Sequence, residues 1–503
     1  MHGLSGGEGG SRVAAPAGRR RARTWQVGHA LGRNTAAMSE QTTAAPAGEA
    51  MRGRLPLEEL AADRALLQRC IVRLAWPVAA EMLLQTVTQI VDMMMVSRLG
   101  SEAVAAVGFS FRPMFFALSI FLGLGAGTTA LVARCMGRRE PELASRVVHQ
   151  AVLSTIVLAG ALAMGFYLLA PRIQAFMGAE PRVLDLGVDY LRALAWGMVF
   201  AYTSIVIAAG LRGAGDTHTT MRVGLLTNAL NVVLNYALIF GNLGAPALGV
   251  YGAGIATSIA RAVGTILLLS LVLSRRLVIA PPRRLVAFDP DILLRIVRVG
   301  LPATAERALL SLAMLMHLRM VAGEGTLAVA AATLSQNIEE LAYMPSIGLA
   351  VAAATLVGQF LGDGRPAAAE QAGWQSARLG ILFMGGMGAL FVMVPRAWLS
   401  LFAPAPPLVP LAADLVRIMG LAQPFGAAAL ILSGGLRGAG ATLSVMAATA
   451  LGMWAVRLGL TSVLLHHGWG AAGAWWAVLA DSALRAAVLA WIFARGRWKW
   501  IRL

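Results

Sequence analysis

The chain writes one stretch twice. Gly210-Leu-Arg-Gly-Ala-Gly-Asp-Thr217 returns as Gly435-Leu-Arg-Gly-Ala-Gly-Ala-Thr442, and the offset between the copies is 435 − 210 = 225. The same offset carries Pro77 onto Pro302, Glu81 onto Glu306, Gly100 onto Gly325 and Gly123 onto Gly348. It also carries Leu131 onto Leu356, Gly137 onto Gly362, Arg192 onto Arg417 and Phe200 onto Phe425. One gapless register from Pro77 to Thr217 makes the chain two copies of one unit, so its fold must be built twice.

The apolar runs say what the unit is. They begin at Leu74, each about the 20 residues a helix needs to cross a bilayer. The first six lie near 74–97, 103–133, 147–170, 184–211, 218–240 and 249–274. The second six lie near 294–321, 328–358, 373–395, 409–436, 443–465 and 470–494. Several exceed the minimum and are expected to tilt or to project into water. Charged residues make up 13% of the chain, against about 25% in a soluble domain. The expected fold is therefore an all-α integral membrane protein with 12 transmembrane helices. Its two six-helix repeats, 70–274 and 292–495, are joined by a linker at 275–291 that contains Pro281-Pro282.

Residues 1–55 are rich in Gly, Ala and Arg and lack apolar periodicity. Arg19 to Arg23 precedes no apolar core, so no secretory signal is read there. The segment reads as a disordered tail or an over-extended start, with Met38 or Met51 as the initiator. An organelle transit peptide is the alternative.

The net charge of +17 rests almost wholly on Arg, since Lys499 is the one Lys. A basic chain suggests nucleic acid, but these arginines cluster at one set of connections. Arg64, Arg69, Arg73, Arg134, Arg138, Arg139, Arg146, Arg212, Arg275, Arg276, Arg283 and Arg284 fall on one side, as do Arg365, Arg437, Arg495 and Arg497. The other side holds little beyond Arg98, Arg172 and Arg182, countered by Glu102, Glu180, Asp185 and Asp189. The positive-inside rule places the basic side and both termini in the cytoplasm of a cell inner (plasma) membrane protein. An even number of helices per copy makes the repeats parallel. No nucleic-acid partner is expected.

Polar residues at bilayer depth are costly and default to functional hypotheses. Glu81, Gln85, Thr88 and Asp92 share one helical stripe about 16 Å long. Asn228, Asn231 and Asn235 form another, and Thr333, Gln336, Asn337 and Glu340 a third, with Glu339 one step off. Glu306 and His317 are eleven apart on the first helix of the second repeat. Burial disfavours an unpaired carboxylate anion, which is what a group that loads and unloads H+ requires. Blander readings stand beside these. Asn228 and Thr333 can simply glue helices together, and His317 alone reads as a satisfied buried histidine. Arg192 and Arg417 snorkel, and Arg457 with Asp481 reads as a structural ion pair. The glycines of the repeated stretch end a helix and turn the chain, and its arginine is expected to sit at a helix end binding nothing. Pro77 is expected to set the start of the first membrane helix. With Lys499 the sole Lys there is no ATP-binding P-loop, and Cys70 and Cys135 form neither a disulfide framework nor a zinc site.

Val91-Asp92, Val96-Ser-Arg-Leu-Gly100, Ala105-Ala-Val-Gly108 and the doubled Leu-Arg-Gly-x-Gly resemble the MATE (multidrug and toxic compound extrusion) family, over residues 70–495. The details are more similar to its DinF-like branch than to the NorM or eukaryotic branches. The resemblance implies a V-shaped pair of bundles, a central cavity and antiport of small amphipathic, cationic compounds against H+ or Na+, without a cofactor. It implies ion coupling at Asp92, with Na+ as the alternative to a proton there, beside Asn231. Some members carry an Asp where this chain has Asn235, which makes Glu81 the candidate for the missing acid. Gln85, Thr88, Glu306, His317, Gln336, Asn337 and Glu340 are then expected along the substrate cavity, in a monomer. A NorM-type cation site in the second repeat is not supported, because its fourth helix carries no buried acid facing Glu306. A flippase for a lipid-linked precursor, which needs a cationic cavity, and a membrane-embedded transferase, which needs Asp-rich metal motifs, are the alternatives.

Overall fold

The computed structural model describes residues 55–280, 288–402, 405–501 and 503. The expectations for the tail 1–54, for Pro281-Pro282, and for Arg283 and Arg284 of the linker lie outside the described residues. Every regular element among the described residues is helical, and 12 helices are long and apolar enough to span a membrane.

A short helix α1 (Leu57–Ala62) leads into α2 (Arg64–Ser97), α3 (Ser101–Gly137), α4 (Pro141–Phe176), α5 (Pro181–Ala214), α6 (Thr217–Phe240) and α7 (Gly249–Leu273). The second set is α8 (Pro290–Ala322), α9 (Thr326–Gly362), α10 (Pro366–Met393), a short α11 (Pro395–Ser400), α12 (Val409–Gly438), α13 (Thr442–His466) and α14 (Gly470–Arg495). Most helices run past the apolar stretch that announces them. α2 starts well before Leu74, at Arg64, with Asp63 capping the amides of Ala65 and Leu66. Pro77 therefore sits inside α2 rather than at its start, a correction of the expectation. Hydropathy marks only the part in lipid, while a capped helix continues through the polar zone.

Each set of six packs around its own fourth helix. α5 contacts α3, α4 and α7, and α12 contacts α9, α10 and α14. The sets meet through α2 on α9, α3 on α8 and α3 on α9. Their cores interpenetrate at the end that carries Leu55 and Leu503, here called the terminal face. Leu67, Ile71 and Leu74 of α2 belong to one cluster with Leu356, Phe360 and Leu436. Ile292 and Ile296 of α8 belong to another with Val148, Val206 and Leu211. The first membrane helix of each set thus seats its starting turns in the other set.

The repeated glycines end their helices as expected. Gly215 at φ +94° and Gly440 at φ +86° adopt left-handed backbone that glycine takes without strain. Elsewhere the backbone departs from regular α geometry with no sequence signal: Leu451–Leu458 within α13 winds as a π-helix. Such widened turns re-aim side chains, and this one contains Arg457.

Candidate functional site

The α2 stripe divides. Gln85, Thr88 and Asp92, with Gln89, line a cavity of ≈ 30 Å³ that is closed from the other side by Thr227, Asn228 and Asn231 of α6 and by Thr257, Ala260 and Arg261 of α7. That is room for about one or two waters or a bare ion. Asn235 donates its amide nitrogen to Asp92 Oδ1 at 2.6 Å. Asn231 has two orientations, of which only the turned-over one suits an ionised Asp92, because in the other its oxygen faces the carboxylate. In one, its nitrogen donates to Thr257 Oγ1 at 3.2 Å and its oxygen accepts from Asn235 at 3.3 Å. Turned over, its nitrogen donates to both Asp92 oxygens at 3.1 Å and its oxygen accepts from Thr257. Which one holds is decided by the hydrogen-bond network. Asp92 and Arg261 share the cavity without forming an ion pair. The α6 amides recur on one face, so the cavity's two amide partners were legible in the sequence. Thr257 and Arg261 were missed, although a hydroxyl and a guanidinium four residues apart in an apolar helix are themselves a signal.

Glu81 is not part of this cavity. It lies eleven residues (92 − 81), about 16 Å, from Asp92 along α2, and Arg212 Nη2 donates to it at 3.3 Å. Two expectations fail together: Glu81 does not supply the missing acid, and the arginine of the repeated stretch is not idle. The second copy repeats the arrangement. Arg437 donates to Glu306 at 2.8 Å and 3.3 Å, and Thr449 adds a hydroxyl at 3.1 Å. At the position matching Thr449 the first copy has Gly224 (449 − 225), where a Cβ would come within 3.2 Å of Glu81 Cγ. Glu306, expected on the substrate cavity, is instead 3% exposed inside this network. The signal was available: an acid and a base both recur at the common offset.

His317 stands at the position matching Asp92 (317 − 225). It is 4% exposed, its Nε2 lies 3.4 Å from the carbonyl of Ala474, and its ring centre lies 5.9 Å from that of Trp475. His317 is thus buried against a carbonyl and an aromatic ring and is not among the residues that line the Asp92 cavity. Close by, Asp481 is fully buried between Arg457 at 2.7 Å and Arg485 at 2.9 Å, so the expected ion pair is a three-member cluster. On α9, Asn337 and Glu340 are exposed and Gln336 is half-buried. Among the described residues no group of three or more His, Cys, Asp or Glu is placed to hold a metal ion.

The MatE family model matches residues 77–237 and again 302–463, and the two matches start at the offset of the internal repeat. The chain is 30% identical over 455 residues to the probable multidrug resistance protein NorM of Thermotoga maritima, covering 88% of this chain and 95% of that one. It is 29% identical to the probable multidrug resistance protein YoeA of Bacillus subtilis, over 78% of this chain and 85% of that one. Among solved structures, a MOP superfamily transporter from Pyrococcus furiosus, described as having a binding pocket of reverse polarity, superposes with a TM-score of 0.80 at 24% identity. That match covers 88% of this chain and 98% of that one. An outward-facing multidrug resistance MATE family transporter superposes with a TM-score of 0.79 at 25% identity, over 86% and 95%. The chain belongs to the MATE family of membrane transporters.

Proposed function

We propose that this protein exports small amphipathic, mostly cationic compounds in exchange for H+ or Na+, by alternating access. It would act as a monomer in the cytoplasmic membrane with both termini inside. The multidrug names of its relatives support the substrate class, and the basic connections support the orientation.

One observation carries the ion-coupling part. Glu81, Glu306 and Asp481 are paired with arginines, whereas Asp92 is hydrogen-bonded by an amide in a small cavity that it shares with Arg261 without an ion pair. An ionised carboxylate only accepts hydrogen bonds, and a protonated one also donates. The nitrogen of Asn235 suits either state at one oxygen. Asn231 suits the carboxylate with its nitrogen forward and the acid with its oxygen forward, and Thr257 answers both orientations because a hydroxyl donates and accepts. Loading Asp92 then turns one amide and changes how α2 is tied to α6. A Na+ ion at the same place would use the oxygens of Asp92, Asn231 and Thr257. Substrate would occupy the space reached by Gln336, Asn337 and Glu340.

The test is substrate flux into proteoliposomes with a pH gradient or a Na+ gradient imposed separately, wild type beside Asp92→Asn. Loss of gradient-driven uptake in the variant, with substrate binding kept, is the expected result. Accumulation against a gradient by Asp92→Asn overturns the assignment.

A further inference from the structure

The two halves meet at the terminal face by an exchange. Gln359 near the end of α9 donates Nε2 to the carbonyl of Gly213 at 3.0 Å. Arg134, its counterpart in the first copy (359 − 225) near the end of α3, donates Nη2 to the carbonyl of Ala439 at 3.3 Å. Gly213 and Ala439 lie in the repeated Gly-Leu-Arg-Gly-Ala-Gly turn, so each half presents the same turn and receives a donor from the other. Thr355, one turn before Gln359, gives its hydroxyl to the carbonyl of Arg212 at 2.8 Å. The last carbonyls of a helix lack their usual partner four residues on; the opposite half supplies one to Gly213 and Ala439 and adds a second to Arg212, which already accepts from the amide of Gly215 at 3.0 Å.

The backbones touch around these donors. A Cβ at Gly137 would lie 2.0 Å from the carbonyl oxygen of Gln359, and one at Gly362 would lie 2.3 Å from that of Arg134. Deeper in, one at Gly348 would lie 2.3 Å from the carbonyl oxygen of Ala75, and one at Gly123 would lie 2.7 Å from that of Gly300. These pairs also obey the common offset. Outside the seam, α1 places Glu58 between Arg139 at 3.3 Å and Arg365 at 3.2 Å, one from each half.

We propose that Arg134 and Gln359, supported by Thr355, form a two-sided latch that holds the terminal face shut and sets how often the transporter opens there. The proposal rests on the alternating-access reading above. These are positioning residues, remote from Asp92 and from the α9 polar stripe. While the face is closed their donors satisfy dry helix-end carbonyls, and on opening water takes over that role. The net difference is therefore modest, about fivefold in the opening equilibrium for each hydrogen bond lost. Such a bias keeps the face closed at rest without locking it. Exposed pairs such as those of Glu58 add little.

The experiment uses the full chain in lipid nanodiscs, with Cys70 and Cys135 replaced by Ser and a single reporter cysteine. Thr304→Cys on α8 sits directly against Gly123 across the seam, and Asn337→Cys reports the exposed stripe of α9. Gln359→Ala is expected to raise maleimide labelling of the first reporter about fivefold and to lower labelling of the second. Thr355→Val, nearly isosteric and so without a folding penalty of size, is expected to move both in the same directions by less. Unchanged labelling at the first reporter in both variants overturns the latch. A rise at the first without a fall at the second supports the latch and removes the alternating-access reading instead.

Discussion

Arg212 grips Glu81 at 3.3 Å, and at the matching positions of the second copy Arg437 grips Glu306 at 2.8 Å. Each half thereby ties its first membrane helix to the end of its fourth with the same acid and base. The bond spans the stretch that hydropathy reads as a bare turn.

Removing one member of a buried pair strands the other charge. Glu306→Gln is expected to cost about 3 kcal/mol of stability. Glu81→Gln should cost less, because Glu81 is more exposed than Glu306 and lacks a counterpart to Thr449. Thermal unfolding in detergent compares the two, and equal losses would show that burial does not rank them.

Asp92→Asn is expected to keep the fold, since Asn235 can still meet an amide oxygen, while gradient-driven flux falls to background. Asn231→Leu should leave Asp92 its bond from Asn235 but remove the amide that turns. Flux should then fall at least tenfold (on the order of one buried charged hydrogen bond) with substrate binding little changed. Parallel flux and binding measurements separate these outcomes from misfolding.

Glu340, exposed on α9, is expected to select by charge. Glu340→Gln should weaken cationic substrates about tenfold and neutral ones hardly at all, because only the Coulomb attraction is removed. Equal weakening of both classes in a competition assay would assign it a structural part.

On the proposed orientation the basic connections face the cytoplasm. Cysteines at Asn242 and Gly468 are expected to react with an impermeant reagent from outside intact cells, and one at Arg276 only after the cells are opened. Reaction at Arg276 from outside would reverse the orientation.

Gly362 packs against the backbone of Arg134 and Gly137. Gly362→Ala leaves no room for the added methyl and should cost about 1–3 kcal/mol in the closed state. The same change at Gly364, where nothing lies within 4 Å but φ is +74°, strains the backbone alone. Labelling across the seam, raised by the first variant and not by the second, distinguishes packing from strain.

The order and number of membrane helices were legible because lipid imposes a length on every apolar run. The Asp92 cavity was half legible: the Gln85, Thr88 and Asp92 stripe and the α6 amides follow from helical spacing, whereas Thr257 and Arg261 needed α7 to be brought alongside. The Glu–Arg pairs were hidden by reading each residue for its own depth, when the recurrence of both at one offset was the telling fact. The π-turn at Leu451–Leu458 has no local signature; it carries Arg457, which pairs with the buried Asp481.

The mismatch between Asp92 and His317 has a consequence for energetics. The scaffold is doubled, but the open acid is not: its twin position is a histidine packed on Trp475. On the proposed reading a turnover then moves one monovalent ion through one titrating cavity. A tenfold ion gradient stores about 1.4 kcal/mol, the same free energy as a tenfold substrate gradient. With a singly charged cationic substrate the exchange moves no net charge, so under tight coupling the exporter can sustain no steeper a ratio across the membrane than its driving ion provides. On that reading its gearing is one to one, because of the two matching positions Asp92 carries a carboxylate and His317 does not.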